Sequence, residues 1–71
     1  MTKQEMIADI QISLKWAAEN SLEALEWMRV VIADYGFQTV SGWRWVDTKK
    51  FLRLRKDDLA DMMTRIVECM Y

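Results

Sequence analysis

Apolar residues recur at helical spacing in two runs along the N-terminal half of the chain. The first run is Met6, Ile7, Ile10, Leu14, Ala17 and Ala18, and the second is Leu22, Leu25, Met28, Val31, Ile32 and Tyr35. Thr2 and Glu5 form a capping box before the first run, and Asn20 followed by Glu23 predicts a second helix start. Gly36 suits the left-handed position that ends many helices. The pattern predicts two helices that pack as an antiparallel hairpin.

The clearest amphipathic segment follows in residues 57–70. Its apolar side consists of Leu59, Met62, Met63, Ile66, Val67 and Met70. Acidic residues occupy its first turn, where they interact favourably with the helix dipole. A helix that began earlier would place Arg55 and Lys56 on the apolar face. We therefore expect a third helix that begins after Lys56.

Residues 43–46 and 51–55 alternate between apolar or aromatic and basic side chains, which is typical of strands. With residues 47–50 as the loop, the tryptophans of the first strand face the leucines of the second. This register gives one apolar face and one basic face, and it places Arg44 beside Arg53. Like charges directly opposite each other are destabilising, which counts against the pairing. The pattern nevertheless favours a short β-hairpin.

The predicted fold is an α+β domain that is mainly helical, with the order α-α-β-β-α in one small domain over residues 1–71. The alternative is a three-helix bundle whose last helix begins at Asp47. A chain of 71 residues buries a modest share of its surface, so its stability is marginal. Cys69 is the sole cysteine and there is no histidine, so an internal disulfide and a His/Cys metal site are not expected. These limits favour oligomerisation, with a homodimer as the simplest form.

Catalytic chemistry is not expected from this composition. A hydrolytic nucleophile usually needs a histidine base, and phosphate-binding loops need clustered glycines, whereas the two glycines stand apart. We therefore predict no enzyme activity, no cofactor and no small-molecule substrate. The apolar runs are too short for a membrane span and no signal peptide is recognisable, so we expect a cytoplasmic protein without membrane contact. Cys69 is expected to be a partly buried thiol.

Charge is segregated along the chain even though the net charge is −1. Residues 41–56 carry six basic side chains and one acidic side chain, Asp47. We call the six basic residues the basic stretch: Arg44, Lys49, Lys50, Arg53, Arg55 and Lys56. Basic side chains interleaved with Trp43 and Trp45 suit a phosphate backbone with stacked bases. The same charges suit an acidic protein surface, or a solvated face that the acidic helices neutralise. All three interpretations stay open.

Four apolar residues lie away from the main stripes of the first two helices. Ile12 and Trp16 are four positions apart on the first helix, and Trp27 and Val30 lie among acidic residues on the second. We call this set the hydrophobic seam. Exposed tryptophan is enriched at interfaces, so the seam predicts a dimer or partner surface. The alternative is that these side chains pack beneath the β-hairpin or the third helix.

The resulting hypothesis is a small non-catalytic protein–protein interaction module. It would be a cytosolic regulator or inhibitor that binds a larger protein, forms a homodimer and docks through the hydrophobic seam. Phage-encoded inhibitors of host systems fit this description in size and composition, which is an analogy and not evidence from residues. The first alternative is a nucleic-acid-binding regulator that uses the basic stretch. The second is a structural subunit of a larger assembly.

Overall fold

Helices account for almost all of the structure in the computed structural model, which describes residues 1–38 and 48–70 and, of residues 48–50, the backbone. Helix α1 spans Lys3–Asn20, helix α2 spans Leu22–Asp34 and helix α3 spans Lys56–Glu68. A 3₁₀-helix at Thr48–Arg53 precedes α3. The three α-helices contact one another, and the 3₁₀-helix contacts α1.

The core lies between the three α-helices and the 3₁₀-helix. Its buried side chains are Ile10, Leu14, Ala17, Ala24, Leu25, Met28, Val31, Ile32, Phe37, Phe51, Leu59, Met62 and Ile66. Each predicted helical stripe supplies several of these residues, so the spacing of apolar positions correctly identified the buried faces. Within the described ranges no polar or charged residue is buried, so the core is held by apolar packing alone.

The predicted capping box is present at the start of α1. Thr2 Oγ1 accepts a hydrogen bond from the Glu5 backbone N–H at 3.2 Å, and Glu5 Oε1 accepts from the Thr2 N–H at 2.9 Å. The predicted break at Asn20 is one residue too early, because α1 includes Asn20 and Ser21 caps both helices. Ser21 Oγ accepts from the Ala24 N–H at 3.2 Å, so a single residue connects α1 to α2.

Helix α2 ends in the predicted glycine cap. Gly36 has a φ of +86°, and its N–H donates to the Ala33 carbonyl at 2.9 Å. The Phe37 N–H donates to the Ile32 carbonyl at 3.2 Å, which completes a Schellman motif. The reversal of the chain directs Phe37 into the core, where its ring stacks on Phe51.

Gly36→Ala is expected to lower the free energy of unfolding by about 1 kcal/mol, because a left-handed backbone is unfavourable for a residue with a Cβ atom. The added methyl group would have no atom within 4 Å, so backbone strain is the whole effect. Urea denaturation of both proteins measures the difference. Gly36→Asn is the control, since asparagine tolerates this conformation better, and equal losses for both variants would contradict the explanation.

The predicted β-hairpin is wrong, and the fold is all-helical where the structure describes it. The second expected strand, residues 51–55, instead lies in the end of the 3₁₀-helix and the residues that lead into α3. A 3₁₀-helix places residues three apart on one side, and the Leu54 N–H donates to the Phe51 carbonyl at 3.1 Å. The first expected strand, residues 43–46, lies outside the described residues.

Three α-helices agree with the alternative prediction of a helical bundle, but the last helix begins at Lys56 and not at Asp47. Residues 48–53 form the separate 3₁₀-helix. Arg55 is the N-cap residue and Lys56 the first residue of α3, and both side chains are exposed. The helix was expected to begin after Lys56, so the predicted start is one residue late. Both basic residues nevertheless precede Leu59, the first buried residue of α3.

Candidate functional site

All four residues of the hydrophobic seam are exposed. The exposed fractions are 65% for Ile12, 40% for Trp16, 60% for Trp27 and 53% for Val30. The alternative interpretation of the seam placed these side chains in the interior of the monomer, and their exposure does not agree with it. Exposure of two tryptophans on neighbouring helices costs solvation free energy unless another molecule covers them.

Three of the seam residues line one groove with a volume of about 630 Å³. Trp16 contributes from α1, and Trp27 and Val30 contribute from α2. The other described residues that line it are Ser21, Glu23, Ala24, Val31, Arg65, Glu68, Cys69 and Met70. Ile12 is not among the lining residues. The groove is thus formed where the end of α1, the outer side of α2 and the end of α3 meet.

The helical repeat of α2 explains how it forms one wall of the groove. Glu23, Trp27 and Val31 follow one another at four-residue spacing and therefore lie on the same side of the helix. Val31 is 6% exposed and lies at the base of this wall, whereas its neighbour Val30 is exposed at the surface. Along this wall, the side chains therefore change from buried at Val31 to exposed at Val30.

Helix α3 supplies the part of the groove that the sequence did not indicate. Arg65, Glu68 and Cys69 lie within about one turn at its C-terminal end. The Cys69 thiol is partly buried, as expected, and donates to the Arg65 carbonyl at 3.3 Å. Burial raises the pKa of the Cys69 thiol above its usual value. This cysteine is therefore less reactive than a fully exposed one, yet it borders the groove.

A cluster of polar side chains joins α2 to α3 beside the groove. Tyr35 Oη donates to Asp61 Oδ2 at 2.5 Å, and Arg65 Nη2 donates to Asp34 Oδ2 at 2.7 Å. The Arg65 guanidinium also lies 5.8 Å from the centre of the Tyr35 ring. The hydrogen bond to Asp61 raises the pKa of the Tyr35 hydroxyl, and the hydrogen bond to Asp34 raises the pKa of Arg65. The cluster fixes Arg65 at the edge of the groove.

Tyr35→Phe is expected to lower the free energy of unfolding by about 0.5–1 kcal/mol at neutral pH, since the lost hydrogen bond is solvent-exposed. The raised pKa means that the folded state favours the neutral phenol. The contribution is therefore complete below the unfolded pKa of about 10 and is lost as pH rises through the folded pKa. Urea denaturation of both proteins at neutral and strongly alkaline pH measures this. A constant difference across that range would contradict the assignment.

The basic stretch is only partly described. Arg53, Arg55 and Lys56 are exposed, and Lys3 Nζ donates to the Leu52 carbonyl at 3.1 Å, which brings a further cation to this end of the molecule. Arg44 and the side chains of Lys49 and Lys50 lie outside the described residues. Of the basic stretch, Arg53, Arg55 and Lys56 are described with their side chains, and none of these three lines the groove.

Residues 1–38 and 48–70 contain no cluster of three or more histidine, cysteine or acidic side chains arranged to hold a metal ion. In the same part of the chain, no helix combines the length and the apolarity that crossing a membrane requires. No family model matches the chain, and no curated protein or solved structure is significantly similar to it.

Proposed function

We propose that this chain is a non-catalytic protein-interaction module, a small regulator or inhibitor that acts by binding a larger protein. The docking surface is the groove lined by Trp16, Trp27 and Val30. The observation that carries the proposal is the exposure of these three apolar side chains in one groove. Buried aromatic anchors in a desolvated patch supply most of the binding free energy at typical protein interfaces.

Self-association is the alternative way in which this surface could be covered. A small domain with exposed tryptophans gains stability when a second copy covers them, and the homodimer expected from the sequence stays a prediction. Light scattering across protein concentration measures the mass of the wild type and of Trp16→Ala. A dimer that dissociates in the variant would identify the second copy as the occupant of the groove.

Trp16→Ala/Trp27→Ala is expected to weaken binding of a protein partner by at least about 30-fold, because one hot-spot tryptophan contributes about 2 kcal/mol or more and the two contributions need not add. Leu52→Ala is the matched control, since Leu52 is exposed to a similar extent as Trp16 and does not line the groove. Partner binding, or the dimer dissociation constant, is compared for the three proteins. Loss of binding in the control, or unchanged binding in the tryptophan variant, would refute the proposal.

A nucleic-acid-binding role is the second candidate. It is supported by the exposure of Arg53, Arg55 and Lys56, with Lys3 held close by. Each phosphate contact makes affinity fall with salt, so binding to a DNA or RNA duplex should weaken steeply as salt increases and fall in Arg53→Ala/Arg55→Ala. Binding that is insensitive to both changes would exclude this role for these residues.

A further inference from the structure

We propose that the groove takes an amphipathic helix of a partner protein whose apolar side chains are flanked by lysine and arginine. This inference rests on the proposed function and names the chemistry of the partner. It follows from the shape of the groove, from the unpaired charges at its rim and from the charge of the three helices that form it.

The shape of the groove suits an elongated segment better than a small molecule. Small-molecule sites enclose most of their ligand, whereas Trp27 and Val30 are both more than half exposed while they line the groove. A helix laid in a groove between helices uses apolar anchors at i, i+3 or i+4, and i+7. The walls contributed by α2 and α3 are themselves helical, so they can pack against such a helix as helices pack in bundles.

Among the described residues that line the groove, the unpaired charges are negative. Glu23 and Glu68 both line the groove, and neither forms an ion pair with any residue that the structure describes. Arg65 also lines it, but its guanidinium is already paired with Asp34 at 2.7 Å. A partner that places lysine or arginine beside its apolar anchors would therefore gain two free carboxylates.

The helices around the groove extend this negative charge. The ranges of α1, α2 and α3 contain ten acidic and five basic residues, a net charge of −5. Such an excess attracts a positively charged partner and accelerates its association at low salt. The rim and the helices that form the groove therefore carry charge of the same sign and favour the same partner chemistry.

The same charges disfavour a second copy as the occupant. A symmetric dimer places one surface patch against the identical patch of its partner. Here that arrangement would bring the unpaired Glu23 and Glu68 of one copy towards those of the other, and like charges across an interface are costly. A basic helix of another protein avoids this repulsion.

Two synthetic peptides test the proposal directly. Each has roughly 18 residues, about 27 Å as a helix, which matches the 28 Å long dimension of the molecule. Both carry the same leucine and tryptophan anchors, while lysine flanks the anchors in one and glutamate in the other. The lysine peptide is expected to bind the full chain at least about tenfold more tightly at low salt, with the difference decreasing as salt increases.

Cys69 reports whether the peptide occupies the groove. It is the sole cysteine of the chain and it borders the groove, so an alkylating reagent modifies this position alone. The lysine peptide is expected to slow alkylation in proportion to its occupancy, and the glutamate peptide is not. Faster alkylation at higher pH reflects the thiol titration and is measured without peptide as the reference.

Charge reversal at the rim separates local recognition from the general field. Glu23→Lys/Glu68→Lys is expected to weaken binding of the lysine peptide at least about tenfold. The matched control is Asp9→Lys/Asp57→Lys, which changes net charge equally at exposed positions outside the lining of the large groove, and it should weaken binding less than about threefold. Circular dichroism and Tm verify that each variant is folded.

Several results would overturn the inference, and three of them come from the peptides and the charge reversals. They are tighter or equal binding of the glutamate peptide, failure of the lysine peptide to bind, and equal effects of the two charge reversals. Protection of Cys69 from alkylation that increases with protein concentration in the absence of peptide would also overturn it, because a second copy would then occupy the groove. If Trp27→Ala weakens peptide binding but Glu23→Lys/Glu68→Lys does not, the groove is still the docking surface, and the proposal of a basic partner is wrong. If Trp27→Ala changes nothing, the proposed function fails as well.

Discussion

Phe51→Ala should lower the free energy of unfolding by about 3–5 kcal/mol, as expected for loss of a fully buried aromatic side chain. Phe51 is completely inaccessible to solvent and stacks on Phe37 with ring centres 4.0 Å apart and an interplanar angle of 12°. The variant loses both the packing of the ring and its contact with Phe37. A domain of this size has a total stability of roughly 4–11 kcal/mol, so the loss is a large fraction of it.

Urea denaturation followed by circular dichroism measures this loss. Leu52→Ala is the adjacent control, because Leu52 is 42% exposed and its truncation should cost less than about 1 kcal/mol. Phe51→Leu should fall between the two, since it keeps most of the apolar volume but not the stacked ring. Similar losses at positions 51 and 52 would mean that the 3₁₀-helix does not anchor this segment to the core.

Phe51 also shows why the β-hairpin was predicted wrongly. The segment from Phe51 to Arg55 alternates as a strand does, but five residues with three apolar positions also satisfy a 3₁₀ turn. Phe51 packs on Phe37, which precedes it by fourteen residues in the sequence and reaches it only after the Gly36 turn, so at least one contact of the 3₁₀-helix is not local. Local periodicity contains no information about that distant partner.

The α-helices were more predictable because their signals are local. Side-chain caps at Thr2 and the positive φ at Gly36 depend on neighbouring backbone atoms alone. Two residues of the predicted stripes are exposed: Val67, at 44%, and Leu22, which is 71% exposed because it is the first residue of α2. A position in the first turn can match the helical period and still extend beyond the packed face.

The candidate site was only partly predictable from the sequence. Trp16, Trp27 and Val30 stood out because they depart from the buried stripe of their own helix. The contribution of Arg65, Glu68 and Cys69 was not visible, since it depends on where the end of α3 meets the other two helices. Sequence periodicity identifies an unpartnered face but not the neighbour that turns it into a groove.

Val31→Asp is expected to destabilise the domain by about 3 kcal/mol or more, since burying an unpaired carboxylate costs several kcal/mol. Val31 is 6% exposed and belongs to the core, where no described polar side chain is buried to compensate a charge. Denaturation with urea at neutral and acidic pH measures the loss. The loss of unfolding free energy should be smaller at acidic pH, because burial raises the pKa of the new carboxyl group and protonation removes its charge.

Val30→Asp places the same substitution at the neighbouring exposed position, so its effect on binding can be compared with the effect of Val31→Asp on stability. Val30 is 53% exposed, so a carboxylate there keeps its water in the free protein and Tm should change little. Once a partner covers the groove, that carboxylate loses its water, and affinity should fall by about tenfold or more. Adjacent valines with the same substitution would then fail for different reasons, one in stability and one in binding. If Val30→Asp binds a partner as well as the wild type does, the outer wall of α2 is a solvated surface and the docking site lies elsewhere.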